Sequence, residues 1–294
     1  MELQIAKHTK EVEEIICRFL PKEEGYQKTV LSAMNYSFNA GGKRLRPMLM
    51  LEVFRLFGGK NIKLVEPFMA AMEMLHTSSL IHDDLPAMDN DEYRRGKKTT
   101  HIVYGEAMAI LAGDGLLLYA FETAAKAYEV EPENKNIGKA LSIFAQKAGI
   151  YGMVGGQTVD VEMEGKPLSQ EQLLFIHHLK TGALIEASMM IGAILAEASD
   201  EDVLKIQKIA SNIGLAFQIQ DDILDVMGDE EMIGKPVGSD CKNNKTTYVS
   251  LKGIEQSHAD VERYTNEAVG LLDSLHGANE FLKSLLMALV NRKK

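Results

Sequence analysis

Apolar residues recur along most of this chain at intervals of three and four, and few runs alternate with period two. The first spacing lines up side chains on one face of a helix; the second belongs to strands. The pattern predicts helices over 2–20, 26–39, 46–57, 63–84, 103–127, 136–149, 151–163, 169–197, 201–227, 245–252, 258–275 and 278–290, with little or no sheet. Ser169 and Gln172 make a capping-box pair, with Glu171 in the same turn. Asp200 is expected to cap the next helix, Gly58-Gly59 to end the third, and Pro67 to sit in the first turn of the fourth. Segments 63–82, 107–125, 181–197 and 203–227 are apolar on more than one face, which predicts helices buried at the centre of a bundle.

The polar breaks, 40–45, 85–101, 129–135, 164–168 and 228–244, are too short and too mixed to be linkers, so residues 1–294 read as one all-α domain. Composition agrees. Hydrophobic residues make up 46% of the chain, enough for a full core, while 7 prolines and no tryptophan leave a bias toward helix formers. The formal charge of −10 argues against a nucleic-acid partner, but not against a small anion held by local cations. Cys17 and Cys241 are the only cysteines, which points to a reduced, cytoplasmic setting rather than a disulfide framework. The first residues lack a signal-peptide core. Asp114 and Glu186 interrupt the longest apolar runs before the ~18 uncharged residues of a membrane span, so none is expected.

Two acidic clusters change the picture. Asp83-Asp84-Leu85-Pro86-Ala87-Met88-Asp89, with Asp91 beyond, and Asp221-Asp222-Ile223-Leu224-Asp225 each end an apolar helical stretch. Carboxylates there are costly unless a cation compensates them. Asp221 and Asp225 share a helix face. Asp89 lies roughly 600° of helical rotation from Asp83, at about 100° per residue, so a bulge at Pro86 is needed to bring it back. Paired clusters of hard oxygen donors suit magnesium, which takes one or two carboxylates and leaves places for water and phosphate oxygens.

Basic groups accompany them. Arg94-Arg95 and Lys97-Lys98 follow the first cluster, and arginine forks onto diphosphate oxygens. Gly41-Gly42-Lys43-Arg44-Leu45-Arg46-Pro47 has glycines that let backbone approach an anion at a helix start; taken alone it reads equally as an exposed turn. Lys180-Thr181 interrupts an apolar helix, and Gly234-Lys235 and Lys245 lie in polar loops. Gln157 and Asp160 are either capping residues or partners of the site. His177-His178 are adjacent and face different ways, so they make a poor metal pair. The sixteen methionines read as core filling.

These residues carry a resemblance. Ser78 to Asp89 followed by Arg94-Arg95-Gly96 resembles the first aspartate-rich motif of trans-isoprenyl diphosphate synthases, in the widened form of bacterial farnesyl and plant geranylgeranyl enzymes. Phe217 to Asp225 resembles the second motif. Gly41 to Pro47, Gly156-Gln157, Lys180-Thr181-Gly182 and Gly234-Lys235 match in order, from about residue 26 to 252. The resemblance implies an isoprenoid synthase fold, a helical bundle around a deep central cavity, usually a homodimer. It implies condensation of dimethylallyl or geranyl diphosphate with isopentenyl diphosphate. Asp83, Asp84, Asp89, Asp221 and Asp225 would hold about three magnesium ions, with Asp222 in the same catalytic cluster. Those ions would draw off the allylic diphosphate. Arg94, Lys180, Lys235 and Lys245 would bind that diphosphate; Lys43, Arg46, His76 and Arg95, with Gly42 and Gln157 nearby, would serve substrate binding. Thr181 and Gln218 would face the carbocation.

Ser78, the fifth residue before Asp83, departs from the farnesyl pattern, where an aromatic ring floors the pocket. Serine leaves room for a C20 product, unless Met48, Met74 or Phe121 closes the space. The overall bacterial pattern leans to C15. A terpene cyclase, a silent partner subunit and a di-iron protein fit less of the chain.

Overall fold

The computed structural model describes residues 2–227, 246–275, 277 and 279–290. Lys235, Lys245, Gly234 and Cys241 lie outside them. The described residues are almost wholly helical. Helix α1 (Glu2–Ile16) runs into a 3-10 turn, followed by α2 (Lys28–Phe38), α3 (Leu45–Leu56) and α4 (Ile62–Asp83). A two-residue hairpin follows, β1 (Tyr93–Arg94) against β2 (Lys97–Lys98), antiparallel. Then come α5 (Thr100–Tyr104), α6 (Glu106–Ala125), α7 (Ala127–Val130), α8 (Lys135–Ala148), α9 (Met153–Glu162) and α10 (Gln170–Ile176). A π-helical turn, His177–Gly182, joins α10 to α11 (Ala183–Leu195). The chain continues through α12 (Asp200–Met227), α13 (Tyr248–Lys252), α14 (Ile254–Asp273) and α15 (Glu280–Val290).

Every residue of α11 is buried, and this helix packs against α3, α8 and α12. Helix α4, buried over most of its length, lies between α3 and α6. Close backbone approach sets this spacing. A Cβ on Gly192 of α11 would overlap the Met50 carbonyl of α3.

Several element ends differ from the sequence reading for identifiable reasons. The capping box at Ser169 and Gln172 is present in both directions. Ser199, not Asp200, caps α12: its Oγ accepts from the Asp202 amide at 3.1 Å and donates to the Asp202 carboxylate at 2.8 Å. Gly105, at φ 83°, splits the stretch read as 103–127. Pro67 falls in the second turn of α4, because the helix begins at Ile62.

Helix α6 is not central. It packs on α4 and leaves an outward stripe containing Ile110, Leu111, Asp114, Leu118 and Glu122; Leu118 is 71% exposed. By length and hydropathy Glu106–Val130 suffices to cross a membrane, and 39% of its apolar window is buried. Asp114 did not disqualify it as the sequence reading assumed. In the fold it forms two helices with charged residues on the outer stripe.

Candidate active site

The first acidic cluster sits where α4 stops. The residue before a proline avoids helical geometry, and the helix ends at Asp83, three residues ahead of Pro86. The chain then turns back on itself. The Asp89 amide donates to the Asp83 carbonyl at 2.8 Å and the Asn90 amide to the Leu85 carbonyl at 3.1 Å. The expected return of Asp89 is achieved by ending the helix, not by a bulge within one that continues.

Asp83 and Asp84 are each held by a neighbour. Gln157 of α9 donates to Asp83 Oδ1 at 2.9 Å. Arg94, carried by the hairpin, donates through Nε to Asp84 at 2.6 Å and reaches Asp91 at 3.3 Å. Burial raises the pKa of both carboxyls above the ordinary carboxylate value. At Asp83 the cations Lys180 and Arg94 oppose that shift, while Asp89 and Asp84 reinforce it. At Asp84 the Arg94 contact opposes it. Negative charge is therefore under-compensated here, and the donors are hard oxygens. No three acidic or imidazole groups converge as a ready-made cage among the described residues. The hard oxygens of Asp83 and Asp84 suit magnesium, which takes few protein ligands and completes its shell with water and phosphate oxygens.

Beside the acids stands a wall of opposite charge. His76 of α4 is surrounded by Arg46, Arg95, Arg94 and Arg44; burial first, then these guanidiniums, holds it well below the usual imidazole range. It stays neutral at physiological pH. Arg46 is itself depressed by burial, with Arg95 adding repulsion, and its Nε is buried without a hydrogen-bond partner. Arg44 is differently used. It adopts the left-handed conformation at φ 48° and bonds Glu73 at 2.8 Å, the Phe38 carbonyl at 2.8 Å and Glu13 at 3.2 Å. That arginine braces the fold.

Gly42 lets a neighbouring side chain come close. At φ 140°, a Cβ there would sit 2.6 Å from the Arg95 guanidinium. Arg95, itself left-handed, donates to the Gly41 carbonyl. The glycine admits an arginine to the loop. Lys43 is exposed beside it.

A cavity of about 590 Å³ opens beneath these groups. Arg46, His76, His82, Asp83, Gln157, Lys180 and Thr181 line its polar part. Leu117 of α6, Ala148 of α8, Met153 and Val154 of α9 and Leu184 of α11 line the apolar part. Ser78 is on the wall, 3% exposed, its hydroxyl returned to the Leu75 carbonyl at 2.9 Å. Met48 and Met74 are fully buried in the core instead, and Phe121 packs edge-on against Phe144 at 5.1 Å.

Lys180 and Thr181 reach this space from the π-helical turn. Lys180 pairs with Asp160 at 2.5 Å, so Asp160 is a partner of the site and not a cap. The second cluster lies on α12, which packs against the same turn. Gln218 approaches Asp221 at 3.5 Å. Asp222 accepts from the Tyr248 amide at 2.6 Å, anchoring α13, with His177 Nε2 at 4.0 Å. Asp225 follows Asp221 by one turn on this helix.

Sequence reasoning missed His82, which lines the cavity and approaches Asp114 at 3.6 Å. Its place immediately before Asp83 was the available signal. The apolar walls gave no signal, because they come from helices far apart in sequence.

An all-helical fold that gathers carboxylates and guanidiniums at the head of one apolar cavity defines a protein for molecules with an anionic head and an apolar tail. The chain belongs to the polyprenyl synthetase family, whose model matches residues 27–277. It is 48% identical over 246 residues to a farnesyl diphosphate synthase of Geobacillus stearothermophilus, covering 83% of this chain and 81% of that one. It is 47% identical over 258 residues to a geranylgeranyl diphosphate synthase of Cyanophora paradoxa, covering 87% and 85%. A Helicobacter pylori geranyltransferase, solved with magnesium and isoprenyl diphosphate, superposes with a TM-score of 0.83 at 34% identity, over 98% of this chain and 95% of that one.

Proposed function

We propose that this protein is a magnesium-dependent, short-chain trans-prenyl diphosphate synthase. It joins dimethylallyl or geranyl diphosphate to isopentenyl diphosphate and forms farnesyl diphosphate. The observation that carries the reading is the pairing of two unlike charged walls over one apolar cavity. Under-compensated carboxylates at Asp83 and Asp84 face the problem of holding metal and diphosphate. A crowded cationic wall at Arg46 and Arg95, around the neutral His76, calls for a second anion. A cyclase, with one diphosphate, leaves that second wall unexplained.

In this reading Asp83, Asp84, Asp89, Asp221 and Asp225 hold about three magnesium ions. Bound there, magnesium supplies Lewis acidity to the departing allylic diphosphate. Arg94, Lys180, Lys235 and Lys245 neutralise that diphosphate. Lys43, Arg46, His76 and Arg95 orient isopentenyl diphosphate so that its double bond meets the allylic carbon. Thr181 and Gln218 turn oxygens toward the cation, and the apolar wall keeps water from it. The departing diphosphate takes the final proton.

Ser78 favours a second product, geranylgeranyl diphosphate, because a small buried side chain on the wall leaves depth for another C5 unit. The protein is proposed to be a cytoplasmic homodimer, with the outward stripe of α6, where Ile110, Leu111 and Leu118 are exposed, as its contact face. Incubating the protein with labelled isopentenyl diphosphate and each allylic starter, then sizing the products, tests the reading. Turnover of a starter into cyclic hydrocarbon without isopentenyl diphosphate would overturn it.

A further inference from the structure

The π-helical turn that presents Lys180 and Thr181 is held from three sides. Helix α9 closes on it through Gly156, where a Cβ would overlap the Lys180 amide. Helix α12 closes through Gly214, where a Cβ would lie 3.2 Å from Gly182 Cα. The third contact is polar. Glu186 of α11 is completely buried. Its Oε2 accepts from Lys147 of α8 and from Gln207 of α12, the latter at 3.3 Å. Its Oε1 has no hydrogen-bond partner, yet His178 Nδ1 lies 3.3 Å from it. Ser211 Oγ lies 3.5 Å from the same nitrogen.

Stability alone does not account for this cluster. A buried ion pair can often be replaced by apolar residues of similar volume with no loss of stability. What the cluster does provide is a link. Glu186 is fixed by two helices and offers its remaining oxygen to the π turn, two residues before Lys180. Single π turns of this kind are rare and gather at functional sites.

We propose that Glu186 is a positioning residue: through His178 it fixes the π-helical turn so that Lys180 and Thr181 face the cavity. Lys147 and Gln207 hold Glu186 in place. The proposal rests on the reading of Lys180 as a contact to the allylic diphosphate.

The test uses the protein and four variants, with steady-state kinetics for each substrate and thermal unfolding. His178 is half exposed, so His178→Ala keeps the wild-type unfolding midpoint. Its KM for the allylic diphosphate rises at least about tenfold, within the roughly hundredfold that ångström-scale misplacement costs. KM for isopentenyl diphosphate stays unchanged. His178→Asn returns a donor to the same place and restores the allylic KM. The double variant Lys147→Met with Glu186→Leu removes the ion pair without leaving a lone charge; it folds and shows the His178→Ala defect. Wild-type constants in His178→Ala, or equal weakening of both substrates with a lowered midpoint, overturn the proposal. Lys180→Ala separates the two claims. If it leaves the allylic KM unchanged, the reading of Lys180 falls and the proposal with it. If it raises that KM and His178→Ala does not, the proposal alone falls.

Discussion

Replacing Asp83 by asparagine is expected to stabilise the protein without metal while removing its response to metal. Asparagine keeps an oxygen for the Gln157 amide, now 2.9 Å from Asp83 Oδ1, so the hydrogen bond survives and only the charge is lost. The native carboxyl binds its proton more tightly than the unfolded one, whose ordinary value is 3.8. In the window above 3.8 the unfolded state therefore binds fewer protons, and stability falls as pH rises through the raised native value. At neutral pH the ionised carboxylate costs native stability. Its removal should contribute about 0.5–2 kcal/mol, or a midpoint roughly 1–8 °C higher at about 2–4 °C per kcal/mol. The gain should shrink as pH drops toward 3.8 and vanish below it. The assay is thermal unfolding in chelator and again in excess magnesium with inorganic diphosphate. Saturation at a hundred times the dissociation constant stabilises wild type by about 2.7 kcal/mol; Asp83→Asn should lose most of that increment. A variant that melts lower than wild type in chelator, and keeps the full ligand shift, refutes the reasoning, since Asp83 is then a structural group.

Other expectations follow from the same geometry. Asp221→Ala should lower the chemical step by several orders of magnitude with an intact fold, read by single-turnover kinetics and circular dichroism. Arg46→Ala, which removes a guanidinium beside His76, should raise KM for isopentenyl diphosphate far more than for the allylic partner. Ser78→Tyr should shift any C20 product to C15 with little loss of turnover, measured by sizing the chains; no change in product places the floor elsewhere. Leu118→Asp, at the most exposed apolar position of the α6 stripe, should dissociate the proposed dimer in sedimentation experiments, whereas an unchanged mass moves the contact off α6.

The chemistry was more legible than the architecture around it. Asp83 and Asp221 stand out because carboxylates at the ends of apolar helices are expensive, and sequence displays that directly. Lys180 stands out for the same reason. The π-helical turn did not, because apolar spacing continues across 169–197 while the backbone changes pitch. The outward face of α6 was hidden too, since an apolar helix reads alike whether its far side meets core or another surface. Gly42 shows a subtler limit. A glycine in a basic loop promises close approach, but only the fold reveals that the approaching group is Arg95. Arg44 and Arg46 are two residues apart and alike in type, yet one braces Glu73 and the other lines the cavity.

In the proposed reading helix α4 works as a ruler. Its zero mark is Asp83, and Ser78 is a graduation about 7.5 Å lower along the axis at 1.5 Å per residue. Burial over most of its length keeps the scale rigid. The two marks are also separate. A graduation can be moved by one side chain while the zero mark, where the chemistry is proposed to occur, stays untouched. On that reading a single substitution would change how long a product is made and keep everything else. Two relatives named for products of different length stand at 47% and 48% identity to this chain.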